Sequence, residues 1–216
     1  MDIKRILTGL LKGLLAFIIL VNTVLIFSVG VKYFHPNFEV GYLLGKKHLF
    51  PGPFSIALYG HVLLTPIIIL TGAIQIFLNS HKRWIQIHRF IGKIYVYAIL
   101  IVGAPSGLVM SYMGIDHWLP KVSFLLLSIL WFGFTLFAVR QVLLKQITSH
   151  QQWMIRSYIL SCSAIVLRML MFICHVNMEF IPEDTYALIS VLSWLPFLLI
   201  YELYLWFSKK TKKSLL

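Results

Sequence analysis

Two histidines at the ends of apolar segments are the residues of this sequence best suited to chemistry. His88 lies at the start of the third apolar segment, and His150 lies at the start of the fifth. Histidines from two helices commonly hold a haem iron at its axial positions. One interpretation is that His88 and His150 are metal ligands of a haem b, with Tyr95 and Ser157 deeper in the same helices. The interpretation that their boundary positions favour is that both histidines hydrogen-bond loops or phosphates there.

A polar stripe on the fifth segment suggests a second group of binding residues. At 100° per residue, one side of this helix carries small and polar residues, and the opposite side carries branched apolar ones. The polar side consists of His150, Ser157, Ser161, Ala164, Arg168 and His175. Because a charged side chain inside a bilayer is costly, Arg168 should be buried beside an acceptor from the second, third or sixth helix. We expect the stripe to face the second helix, which carries His61.

Arg168 and His61 fit more than one role. Arg168 could hold an anionic group such as a haem propionate, a quinone oxygen or a lipid phosphate. It could equally bind carbonyls or hydroxyls of neighbouring helices in a purely structural role. Zinc hydrolysis is less favoured, because no Asp accompanies the histidines inside the membrane and no H-E-x-x-H motif is present.

The composition predicts an integral membrane protein. Of the 216 residues, 59% are hydrophobic and 12% are charged, about half the charged fraction of a soluble domain. The net charge of +12 comes from short basic clusters between apolar runs. This arrangement is typical of membrane topology and argues against nucleic acid as a partner. The lipid bilayer is therefore the predicted partner, and residues 1–216 are predicted to form one domain.

The apolar runs predict an all-α fold, an integral membrane bundle of six transmembrane helices. The predicted helices cover approximately residues 14–31, 55–78, 90–113, 122–144, 151–175 and 185–207. Of the 19 Lys and Arg residues, 14 lie in or near the two termini and the second and fourth connections, four lie in the other connections, and the last is Arg168. By the positive-inside rule, both termini face the cytoplasm.

A set of separated polar motifs resembles a known family. In chain order these motifs centre on His61, Gln75, His88 with Gly92 and Tyr95, Ser106 with Gly107, His150 with Trp153, Arg156 and Tyr158, Arg168, Ser193 with Trp194 and Pro196, and Glu202. In order and spacing they resemble the bacterial membrane proteins grouped as domain of unknown function 2306, over about residues 55–206. The resemblance implies a helical membrane fold in the bacterial cytoplasmic (inner) membrane, and it implies no reaction.

Two classes of function fit these residues. The first is a transmembrane redox protein that binds haem or quinone through histidines of helices two, three and five. The second is a non-catalytic carrier, or a lipid- or anion-binding protein, that uses the same polar cavity around Arg168. The residues fit both an enzyme and a carrier, and the sequence identifies no protein partner.

The distribution of basic residues makes the topology testable. A reporter fused after Lys47 should be exposed outside the cytoplasm, and one fused after Lys145 should be cytoplasmic, because basic residues are retained on the cytoplasmic side. Alkaline phosphatase and fluorescent-protein activities of matched fusions measure the two locations. The reverse pattern would contradict the predicted orientation.

Overall fold

The chain folds into eight α-helices and no β-strand over the residues that the computed structural model describes, namely 3–50, 52–77, 84–177 and 182–214. The helices are α1 (Ile3–Lys32), α2 (Pro53–Phe77), α3 (Ile85–Tyr97), α4 (Ala104–Gly114), α5 (Trp118–Leu143), α6 (Ile147–Asn177), α7 (Glu183–Leu192) and α8 (Leu195–Ser214). Two short 3₁₀ turns, Gly41–Leu43 and Lys47–Leu49, lie between α1 and α2. The all-α prediction is confirmed.

Six helical stretches among these residues are long and apolar enough to cross a membrane. They are Leu7–Lys32, Pro53–Ile76, Ile85–Gly114, Trp118–Leu143, Ile147–Asn177 and Glu183–Lys209. Their number and order match the predicted helices. The predicted end of the second helix at residue 78 lies outside the described residues, and the cytoplasmic location of the termini stays a prediction.

Two of the six spans are irregular, and a proline lies at each irregularity. A π-helical segment, Ala98–Gly103, joins α3 to α4 just before Pro105. The last span breaks at Ser193 and Trp194, so that α7 ends and α8 begins just before Pro196. Proline has no N–H and clashes with the carbonyl four residues earlier, so a regular α-helix rarely continues through it unchanged. Single π-helical turns within α-helices frequently occur at functional sites.

The helices form two compact units, Met1–Met110 and Ser111–Leu216. In the first unit, α2 packs closely against both of its neighbours. A Cβ atom at Gly60 would lie 2.9 Å from Val102 Cγ1 in the π-helical segment, and one at Gly30 of α1 would lie 2.6 Å from Val62 Cγ1. Glycine at these two positions therefore allows the close approach of α2. The prediction of one domain over the whole chain stays a prediction.

In the second unit, α5 and α6 form an antiparallel hairpin with a very short connection. Lys145 adopts a left-handed conformation with φ of 58°, and the Gln146 N–H donates to the Gln141 carbonyl at 2.9 Å. This bond closes the C-terminus of α5 in the manner of a Schellman motif. Because the turn is tight, the start of α6 lies directly against the end of α5.

The close packing at Gly60 predicts a measurable cost for a single added methyl group. Gly60→Ala should lower the free energy of unfolding by about 1–3 kcal/mol, the usual cost of overpacking. Gly133→Ala in α5 is the matched control, since no heavy atom lies within 4 Å of a Cβ built there. Thermal unfolding of the two purified variants in the same detergent measures the difference. An equal melting temperature for both variants would contradict the close contact.

Candidate functional site

His61 in α2 is half-buried and is held by two groups on the following span. Its Nδ1 atom lies 3.0 Å from Ser106 Oγ and 3.2 Å from the Gly103 carbonyl oxygen. A carbonyl oxygen can only accept a hydrogen bond, so Nδ1 carries the proton. In the neutral imidazole, Nε2 then carries the lone pair and is the atom able to bind a metal.

The local structure explains how His61 reaches these partners. The neighbouring Gly60 allows α2 to approach the π-helical segment, which ends at Gly103. Thr65 Oγ1 donates to the His61 carbonyl at 2.6 Å, one turn along α2. The histidine is therefore fixed through both its side chain and its backbone.

His150 in the first turn of α6 makes the same kind of contact in the second unit. Its Nδ1 atom lies 2.8 Å from the Ala138 carbonyl oxygen of α5. The same reasoning assigns the proton to Nδ1 and the lone pair to Nε2. The tight α5–α6 turn brings the two residues together, because it leaves the end of α5 beside the start of α6.

Hydroxyl groups continue the contact between α5 and α6 beyond His150. Thr135 Oγ1 and Ser157 Oγ lie 2.8 Å apart, and Trp131 Nε1 donates to Ser161 Oγ at 3.0 Å. Ser157 is fully buried. These hydrogen bonds place the polar side of α6 against α5. The partner role of α5 was not predicted from the sequence, although Ser128, Trp131 and Thr135 share one side of that helix.

His88 and Tyr95 both belong to α3 of the first unit. The backbone carbonyl of His88 accepts a hydrogen bond of 2.9 Å from Gln75 Nε2, and the His88 side chain is half-buried. Tyr95 is fully buried. His88 and His150 lie in different units, so their predicted pairing on one haem iron stays a prediction.

Arg168 is half-buried within the span formed by α6. Its Nη1 atom donates to the Ala164 carbonyl of the same helix at 3.2 Å. The predicted acceptor from the second, third or sixth helix, and the predicted contact of the stripe with α2, stay predictions. The apolar side of α6 is more exposed, with Ile155 and Ile173 among its exposed residues, which suits contact with lipid.

An ion pair between α6 and α8 is a further polar feature, which the sequence analysis did not assign to the site. Arg156 binds Glu202 with two hydrogen bonds, from Nε to Oε1 and from Nη2 to Oε2, the latter at 2.8 Å. The Arg156 guanidinium also lies 4.5 Å from the Trp153 ring centroid and 5.5 Å from that of Tyr201. An acidic residue inside a span requires a cationic or donor partner. Applied to Glu202, this requirement could have predicted an ion pair from the sequence.

Within the described residues, no group of three or more His, Cys, Asp and Glu side chains is arranged to hold a metal ion. Haem does not depend on such a group, because the porphyrin supplies four ligands and the protein supplies one or two axial ones. A single histidine can therefore serve as an axial ligand without such a group.

The ion pair predicts a measurable coupling between α6 and α8. Arg156→Ala and Glu202→Ala should each destabilise the protein, and the double variant should cost less than the sum of the two. We expect a coupling energy of about 1–3 kcal/mol, since charge-assisted bidentate hydrogen bonds are stronger than neutral ones. Unfolding of all four proteins in one detergent measures it, and a coupling near zero would contradict the contact.

Comparison with known proteins places these residues within a single family. The family model described as "Predicted membrane protein (DUF2306)" matches residues 58–205, which is more than half of the chain and includes His61, His88, His150 and Arg168. No curated protein and no solved structure matches the chain. The chain is therefore a multi-pass membrane protein that belongs to the DUF2306 family of predicted membrane proteins.

Proposed function

We propose that this protein is a haem-binding transmembrane redox protein of the bacterial cytoplasmic membrane. The observation that carries the proposal is the contact made by two histidines inside the spans. His61 and His150 each direct Nδ1 at a backbone carbonyl of a neighbouring segment, at 3.2 and 2.8 Å. Histidines that bind a metal almost always donate their other ring N–H to such an acceptor, which fixes the tautomer and the ring orientation.

The tautomer favours haem over quinone as the ligand of these histidines. A quinone oxygen accepts hydrogen bonds, so a histidine that binds it must offer an N–H. In His61 and His150 the proton lies on Nδ1 and is directed at a carbonyl, so Nε2 of the neutral ring has a lone pair instead. A lone pair suits coordination to iron and cannot donate to a quinone oxygen.

The residues present fit a haem in chemical terms. His61 and His88 in the first unit, and His150 in the second, each offer an imidazole nitrogen suited to iron. The guanidinium of Arg168 in the second unit suits a propionate carboxylate. Haem iron supplies one-electron redox chemistry when it is bound. The chain itself orients the imidazoles, excludes water from the spans and balances the charge of the propionates.

The second candidate is a non-catalytic carrier or a lipid- or anion-binding protein. It is favoured by Arg168, a cationic side chain well inside a membrane span and half-buried by protein. Such residues generally mark sites for anions or substrates in membrane proteins. In this case the histidines would serve only as polar contacts within their own units, with no metal bound.

Absorption spectroscopy tests the haem proposal directly. The purified full-length protein should show a Soret band, with sharper bands at longer wavelength on reduction by dithionite. His61→Ala and His150→Ala should each lower the haem content or convert the spectrum from low spin to high spin, because an axial ligand is removed. His88→Ala should do the same if the predicted pairing with His150 is correct. His35→Ala is the matched control, since His35 is exposed in the connection between α1 and α2, and it should leave the spectrum unchanged.

A colourless protein that also fails to bind added hemin would overturn the haem proposal. If anionic lipid then raised the melting temperature of the wild type but not that of Arg168→Gln, the second candidate would be supported. A spectrum that is unchanged in every histidine variant would show that any bound haem uses other ligands.

A further inference from the structure

We propose that Ser106 is the positioning residue for His61. Its hydroxyl group, together with the Gly103 carbonyl, holds the imidazole as the Nδ1–H tautomer with Nε2 as the iron-binding atom. The inference rests on the haem-binding function proposed above and adds a residue that acts through the histidine. Ser106 lies in α4, one turn beyond the end of the π-helical segment.

Three atoms form a closed triangle at this point. Ser106 Oγ lies 3.0 Å from His61 Nδ1 and 3.0 Å from the Gly103 oxygen, and Nδ1 lies 3.2 Å from that oxygen. The hydroxyl has one proton, which it donates to the Gly103 carbonyl. Nδ1–H then donates to Ser106 Oγ and to the carbonyl, so every contact has one donor and one acceptor.

The opposite proton arrangement is unfavourable. If the Ser106 hydroxyl donated to Nδ1, that nitrogen would have no proton and would face the Gly103 oxygen at 3.2 Å. Two lone pairs would then oppose each other in a buried site. Unsatisfied or opposed polar groups are costly where water cannot screen them. The carbonyl therefore selects the tautomer, and the hydroxyl adds a second point of attachment that restricts rotation of the ring.

The burial of the triangle makes the hydroxyl difficult to replace. Ser106 is 6% exposed, and Gly103 is also buried. The close approach of Gly60 to Val102 holds the two backbones at the required separation. Because both partners of Nδ1 are buried, loss of the hydroxyl should weaken the hydrogen bonding of the imidazole.

This arrangement predicts a specific loss of haem affinity in Ser106→Ala. Removing a hydrogen-bond partner of a metal-binding histidine typically lowers metal affinity by about 10–100-fold. Because the Gly103 carbonyl remains, we expect the affinity for hemin to fall about tenfold, at the lower end of that range. Ser106→Thr keeps the hydroxyl and should retain the affinity of the wild type.

Hemin titration of the full-length protein in lipid nanodiscs measures the affinity of each variant. Ser190→Ala is the matched control, because Ser190 is also fully buried and its Oγ donates to the carbonyl three residues earlier, that of Ala187, at 2.7 Å. The control should bind hemin as the wild type does. Equal affinities for Ser106→Ala, Ser106→Thr and the wild type would overturn the inference.

A second measurement separates this inference from the proposed function. In protein labelled with ¹⁵N-histidine and free of haem, NMR should show His61 as the Nδ1–H tautomer, with the assignment made by His61→Gln. Ser106→Ala should move the Nδ1–H proton to higher field and speed its exchange, and Ser106→Thr should restore it. A wild type that does not bind hemin would refute the haem-binding function. An Nδ1–H signal unchanged by Ser106→Ala would refute the positioning role, whatever the hemin result.

Discussion

The constraint on which this structure depends is the absence of water from the bilayer core. A hydroxyl, an indole N–H or an imidazole inside a span must find its partner within the protein, because lipid offers none. The second unit meets this requirement along the α5–α6 contact, where Thr135 bonds Ser157 and Trp131 bonds Ser161. At the start of α6, His150 makes a further contact of this kind with the Ala138 carbonyl. The hydrogen bonds that align the two helices therefore also determine which histidine nitrogen carries the proton.

A similar arrangement occurs between α5 and α7. Ser123 Oγ donates to the Ser190 carbonyl and accepts from Trp194 Nε1, both at 3.0 Å. Trp194 lies in the break between α7 and α8, where the helix is interrupted before Pro196. The broken span is thus anchored by side chains of a neighbouring helix, as non-helical backbone within a membrane requires. Small hydroxyl residues suit this task, since they allow the helices to approach closely while still forming hydrogen bonds.

Hydropathy predicted the six spans, because the bilayer imposes length and apolarity on each span separately. His61, His150 and Ser157 were also predicted from the sequence, and the structure holds them in hydrogen bonds. Three features were not predicted: the π-helical segment, the partners Thr135 and Trp131, and the pair of Arg156 with Glu202. These features depend on which sides of two helices face each other, and average hydropathy carries no information on helix rotation. The side of α5 with Ser128, Trp131 and Thr135 could have indicated the contact with α6. The same pattern also occurs in ordinary helix packing, so it does not identify a site.

His61 and His150 both donate a hydrogen bond from Nδ1–H to a protein oxygen, and the two contacts differ in length. His150 makes one short contact with a carbonyl at 2.8 Å, whereas His61 divides its proton between a hydroxyl at 3.0 Å and a carbonyl at 3.2 Å. A stronger acceptor at Nδ1–H makes Nε2 a more basic ligand, which stabilises the oxidised iron and lowers its potential. Under the proposed haem-binding function, the imidazole of His150 would therefore be the more basic of the two ligands.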